Sequence, residues 1–241
     1  MVIKIAEKLI DDNDVYVFAK TKDFFVINFN YQGLLVFDRC FQAKRCLRVG
    51  SEFFVYSLFS SLDDNRLVIS DAENDKMYII DLGKKDDPII QMDNEKIFLH
   101  YYIAGRDEFT LADSMYTYSF SYRNGDMVSR TQYNREGTFL RYHDEELYSC
   151  KQKMFYRRNS KLIELPFAFE CGHLYDVQKG IVSRYDEKRI ELYRKAVIIG
   201  SVSIENGWAL RQVCVDDDRA YLLVNNKWDI TQNRIDTYSL K

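Results

Sequence analysis

A weak repeat of roughly forty residues, built only of strands, constrains this chain more than any other feature. Its clearest copy lies between Asn65 and Gly83, where the apolar alternations RLVISD and KMYIID flank the polar turn Ala72-Glu73-Asn74-Asp75. Period-two alternation broken by Asp, Asn and Gly turns divides the rest of the chain in the same way. Six groups result. Their predicted first strands are Asp14–Lys20, Phe53–Phe59, Ile97–Ile103, Thr138–Tyr142, His173–Val177 and Trp208–Val215. They begin 39, 44, 41, 35 and 35 residues apart, a looser period than a WD40 array but a sustained one. No helix-period segment interrupts them. The best candidate, Asp186–Val197, also reads as a strand pair around Glu187-Lys188.

Such a unit buries its faces only against copies of itself, which is the logic of a β-propeller blade. The expected fold is therefore all-β: one domain over residues 1–241, a six-bladed β-propeller of four-stranded antiparallel blades. The sixth group supplies only three strands before Lys241, and the opening MVIKIAEKLI alternates with no hairpin partner of its own. A lone strand leaves unpaired backbone groups. Both problems are solved if the N-terminal strand completes the last blade and closes the ring. In the third group, Asn124-Gly125 predicts a type I′ hairpin with positive φ at both residues.

The stretch Ser70-Asp71-Ala72-Glu73-Asn74-Asp75-Lys76-Met77-Tyr78-Ile79-Ile80-Asp81, echoed by Gly33-Leu34-Leu35-Val36-Phe37-Asp38, resembles the six-bladed NHL-repeat and TolB-like propellers. In those families the pattern is the hairpin between the two middle strands of a blade. The resemblance implies fold and not function, because such propellers serve many roles. WD dipeptides, kelch double glycines and the S-x-D-x-G-x-T-W box of sialidases are all missing, which sets those subfamilies aside.

Aromatics make up 15% of the chain and suit pleated, half-buried surfaces. With only 2 Pro and 10 Gly, it is no linker or low-complexity segment. No apolar run approaches the ~20 residues of a membrane span. Lys4, Glu7 and Lys8 break the N-terminus where a signal peptide needs an apolar block. A cytoplasmic monomer is expected. The five cysteines are odd in number, scattered and without a C-x-x-C, so reduced, mostly buried thiols are expected.

No catalytic residue, metal ligand or cofactor is designated. His100, His143 and His173 sit in no H-E-x-x-H. Cys171-Gly172-His173 suits a nucleophile or half a metal site, against an ordinary turn with a buried thiol. The acidic clusters at Asp11–Asp14, Asp63–Asn65, Asp86-Asp87 and Asp216–Asp218 lack the spacing of a calcium loop, and Asp and Asn favour turns anyway. Glycine-rich phosphate loops are missing.

Charge is unevenly spread. Residues 123–161 carry nine basic and five acidic side chains within a chain of net charge −3. Arg157 and Arg158 lie there, interleaved with tyrosines such as Tyr148 and Tyr156. This sector is a solvated face, a dock for an acidic protein, or a track for nucleic acid. A pI near 5.7 weighs against the last. Trp228 lies in the polar stretch Asn226–Asn233 and either anchors an interface or folds back over its own blade. Tyr31 and Glu73 occupy the corresponding loops of blades one and two, so the three are expected to share a face. The leading expectation is non-catalytic protein binding, in the manner of an inhibitor or immunity-type protein, through Tyr31, Glu73, Trp228, Arg157 and Arg158. The alternative is a carbohydrate-directed or other small-molecule enzyme whose acidic central pocket draws carboxylates from different blades.

Overall fold

A computed structural model describes residues 2–49, 52–71, 73–84, 89–93, 101–112, 115–132, 138–142, 145–158 and 161–241. Their regular structure is all β. The first strand, β1 (Ile3–Ile10), finds its ladder partner at the other end of the chain. Blade 1 is β2 (Phe18–Lys20), β3 (Phe24–Phe29), β4 (Gly33–Asp38) and β5 (Ala43–Arg48). Blade 2 is β6 (Val55–Ser60), β7 (Arg66–Asp71), β8 (Lys76–Asp81) and β9 (Ile89–Asp93). Blade 3 is β10 (Tyr101–Ala104), β11 (Glu108–Ala112), β12 (Tyr116–Ser121) and β13 (Met127–Gln132). Blade 4 is β14 (Thr138–Tyr142), β15 (Glu146–Cys150), β16 (Lys153–Arg158) and β17 (Lys161–Ala168). Blade 5 is β18 (Leu174–Gln178), β19 (Ile181–Tyr185), β20 (Arg189–Arg194) and β21 (Val197–Ser203). Blade 6 is β22 (Trp208–Asp216), β23 (Arg219–Asn226), β24 (Asn233–Ser239) and, as expected, β1. These are the four-stranded antiparallel blades of a six-bladed propeller.

The chain divides into two compact units, Asp12–Gln132 and Met1–Asp11 with Tyr133–Lys241. In the first, alternation explains why middle strands read as unbroken apolar runs. Leu67 and Ile69 of β7 pack toward blade 1, against Val26, Leu34 and Val36. Val68 between them packs toward blade 3, with Phe109, Leu111 and Phe120. Both faces of a middle strand are buried, and each such side chain contributes about 1.5–3 kcal/mol. In the second unit, Ile181 of β19 faces Val213, Val215 and Leu222, while the next residue, Val182, faces Leu147, Met154 and Tyr175.

The strand β1 runs antiparallel to β24 from Ile3↔Ser239 to Ile10↔Asn233, with a bulge between Lys4 and Ala6. That irregularity shifts the alternation, so Lys4 and Glu7 come to one side and bond at 2.9 Å.

Three expectations change. The first strand of blade 1 begins at Phe18, not Asp14, because a side chain replaces the ladder. Buried Asn28 accepts the Tyr16 and Val17 amides through Oδ1 at 3.0 and 3.2 Å and donates through Nδ2 to the Asp14 carbonyl at 2.6 Å. The Asn124-Gly125 turn is not type I′: among its residues only Gly125 has positive φ, at 78°. A wider loop forms, in which the Gly125 amide donates to the Ser121 carbonyl at 2.9 Å and the Ser121 amide to the Asp126 carbonyl at 2.9 Å. The cysteines are free, but Cys40, Cys46 and Cys171 are exposed, since they fall on turns and an outer strand. Residues 97–100, with His100, and also Asp86, Asp87, Tyr133, Arg135 and His143 lie outside the described residues. Among the described residues no helix is long and apolar enough to cross a membrane.

Candidate partner-binding surfaces

Tyr31 sits on the β3–β4 turn and Glu73 on the β7–β8 turn, and the structure brings them together. With Asn30, Gln32, Glu52 and Phe54 they line a groove of about 490 Å³. One wall is a rigid stack of rings. Phe54 lies 5.1 Å from Tyr16 and 6.0 Å from Tyr31, with interplanar angles of 13° and 12°. The outer ring, Tyr31, is 44% exposed. Its hydroxyl donates to Asp14 Oδ2 at 3.2 Å. Burial, then the charge of Asp14 and this bond, raise the Tyr31 pKa above the ordinary phenol value. The Tyr16 hydroxyl accepts the Val55 amide at 3.2 Å, and burial pushes its pKa up to about 12.

The loops themselves are pinned. The Asn30 amide donates to Asn13 Oδ1 at 2.6 Å, and the Phe53 amide to the Tyr31 carbonyl at 2.8 Å. Buried Asp71 accepts the Phe54 amide at 3.3 Å, the Glu73 amide at 3.1 Å and Asn74 Nδ2 at 2.7 Å. The groove is thus preformed, with an apolar wall and carboxylates at its rim. Tyr16, Glu52 and Phe54 were not singled out from sequence. The signal of Tyr16 and Phe54, aromatic residues where the first strands of blades 1 and 2 begin, reads equally well as core, and Glu52 carries none.

Trp228 folds back against its own blade and still keeps most of its ring in solvent. The edge of its indole covers Gly207, where an added Cβ would lie 2.6 Å from Cζ3. Yet the residue is 83% exposed, and Ile230 beside it is exposed as well. Gly207 takes φ +90° here, and its carbonyl accepts the Lys227 amide at 2.9 Å. The Trp228 amide donates to Asn226 Oδ1 at 2.9 Å. An exposed ring is therefore held on a fixed loop.

Arg157 and Arg158 are consecutive strand residues and point to opposite faces. Arg157 pairs with buried Glu146 at 3.2 Å and lies 5.6 Å from the Tyr148 ring. Arg158 pairs with buried Glu145 at 2.7 Å, on the side of Gly180. They do not form one patch.

Cys171 and His173 precede β18 rather than lying in it. His173 faces Glu170 at 3.5 Å and Asp186 at 3.7 Å. Among the described residues no group of three or more His, Cys, Asp or Glu is placed to hold a metal ion.

No family model matches this sequence. No curated protein matches it either. Solved structures do. Hsv2 of Kluyveromyces lactis aligns with a TM-score of 0.56 at 8% identity, over 95% of this chain and 75% of that one. BamB from Moraxella catarrhalis aligns at 0.53 with 9% identity, over 99% and 100%. Hsv2 of Kluyvelomyces marxianus aligns at 0.51 with 9% identity, over 89% and 73%. At such identities the likeness is one of fold.

Proposed function

We propose that this propeller is a non-catalytic protein-binding module. The observation that carries the reading is the Tyr16–Phe54–Tyr31 stack, which presents an exposed aromatic face over a preformed groove. Rigid aromatics add contact area at little cost in side-chain entropy, which is why they dominate binding hot spots. The exposed Trp228 ring, on the equivalent loop of blade 6, follows the same design. The form we infer is a cap: an inhibitor or immunity-type protein whose loops close over a partner.

The test is capture from the native lysate with cross-linking, followed by affinity measurement on the recovered protein. Tyr31→Ala and Trp228→Ala are each expected to weaken binding about tenfold or more. Retention of full affinity by both variants would remove these residues from the interface. Recovery of carbohydrate or nucleic acid in place of a protein would end the reading.

A further inference from the structure

The turns of blades 4 to 6 carry a second feature, built differently. Two-residue hairpins join β18 to β19 and β20 to β21, closing after Gln178↔Ile181 and Arg194↔Val197. Each begins with a lysine in the left-handed region. Lys179 has φ 50° before Gly180 at 74°, and Lys195 has φ 49° before Ala196 at 61°. Positive φ at both positions defines the type I′ turn, which favours Asn-Gly. Lysine or alanine there is strained, because the left-handed region crowds a Cβ against the backbone. These turns set ammonium groups where the backbone alone would favour another residue.

Both tips open onto a cleft of about 780 Å³. Arg158 and Lys161 enter it from the end of β16 and the start of β17, and Arg194 from the end of β20. Tyr156 and Ile163 form an apolar wall. Asp217 is the one acidic residue among the described lining. Two of the cations are fixed. Arg158 is tied to Glu145, whose Oε2 also accepts the Gly180 amide at 2.7 Å. Arg194 Nη2 donates to the Asp217 backbone carbonyl at 2.8 Å, a neutral oxygen that leaves the guanidinium charge unbalanced. Among the described residues no ion pair engages Lys161, Arg194 or Lys195.

The distribution of these charges selects the ligand. The hairpins bearing Lys179 and Lys195 lie two strand spacings apart in one sheet, about 9.5 Å. The guanidinium groups are anchored on different blades. A single phosphate offers its charge at one point and cannot meet them all. An extended chain repeats same-side residues every ~6.7 Å and can. Apolar side chains flank the cations: Leu162 follows Lys161, and Val197 and Ile198, both exposed, follow the β20–β21 turn. Apolar flanks around arginines are a protein-interface pattern. We propose that this cleft docks an extended acidic segment of a protein partner. The proposal rests on the protein-binding reading and adds a second surface to it.

The probe is a labelled synthetic peptide repeating Glu-Leu-Glu-Ser, titrated by fluorescence anisotropy at low salt. Lys161→Gln combined with Lys195→Asn is expected to weaken binding at least about tenfold. The same variant should unfold at an equal or higher temperature, because Asn suits the turn. Arg106→Gln with Arg123→Gln, the same change of net charge in the other unit, is expected to alter affinity less than about twofold. Equal losses in the two variants would overturn the proposal, as would no binding by the wild type. Tighter binding of pyrophosphate or a single-stranded oligonucleotide, lost in the same variant, would also overturn it. Capture through Tyr31 and Trp228 is read separately, so a failed peptide with surviving capture rejects this cleft alone.

Discussion

Asp71 of blade 2 and Asp236 of blade 6 are each 1% exposed, and the two blades meet them in opposite ways. Asp71 ends β7 and is met by its own surroundings, the amides of Phe54 and Glu73 and the side chain of Asn74. Asp236 sits in the middle of β24, where the ladder already uses the neighbouring amides. It is met by cations. Arg234 places Nε 2.8 Å from Oδ1 and Nη2 3.0 Å from Oδ2, with its guanidinium 4.6 Å over the Trp208 ring. Lys4 of β1 lies 2.9 Å from the same carboxylate. Blade 2 is continuous in sequence and is held by apolar faces. Blade 6 is assembled from both ends of the chain, and β1 buries only Ile10 while Ile3, Ile5 and Leu9 stay exposed. Where a strand arrives from far away with little surface to bury, backbone pairing and charge hold it.

The largest effect should come from removing that strand. Deletion of Met1–Ile10 breaks seven register pairs with β24 and strips Lys4 from Asp236. At ~1 kcal/mol for each bond, a loss on the order of 5 kcal/mol is expected. In a chain of this size that is a fall of about 10–20 °C in thermal midpoint by calorimetry. An unchanged midpoint would mean that β1 is an appendage and that the two blades are held in the same way. Next comes Asp236→Asn, which leaves buried Arg234 with only the exposed Glu205 at 3.2 Å. Breaking a buried pair from one side costs about 3–5 kcal/mol, read as a shift in denaturant midpoint at constant slope.

The same contrast explains what was legible in the sequence. Blade 2 announced itself because strand, turn and strand are adjacent, and the Asp-x-Glu-Asn turn bonds within itself. The missing fourth strand of blade 6 was also legible, as a counting argument. Its chemistry was not. MVIKIAEKLI reads as an apolar alternation, yet the bulge turns Lys4 and Glu7 toward Asp236, and no local pattern marks a partner more than two hundred residues away. The candidate site divides along the same line. Tyr31 and Glu73 emerge by analogy between loops, whereas Phe54 joins them only through packing between blades 1 and 2. Arg157 and Arg158 read as one pair because they adjoin in sequence, and strand geometry separates them. Lys179 and Lys195 carry no signal, because a lysine in a type I′ turn contradicts the preference by which such turns are recognised.

Asp71→Asn gives the smaller counterpart in blade 2. The amide oxygen can still accept from Phe54 and Glu73, and only the bond to Asn74 must reorganise. A cost of about 1 kcal/mol is expected, well below that of Asp236→Asn. The reverse order would break the comparison.

The smallest effect sharpens it most. Lys4→Met removes one of two cations from Asp236 at a partly exposed position, so under about 1 kcal/mol is expected near neutral pH. Burial on its own would lower the Lys4 pKa, but the bonds to Glu7 and Asp236 prevail and raise it above 10.5. A lysine whose folded pKa is raised stabilises fully below its unfolded value and loses that contribution as pH rises through the folded one. The gap in thermal midpoint between wild type and Lys4→Met should therefore hold from neutral pH to about 10 and close above it. The gap for Asp71→Asn should not close over that range, since amide donors do not titrate there. A Lys4→Met gap that persisted at high pH would show that the ammonium charge is not what Lys4 contributes to holding β1.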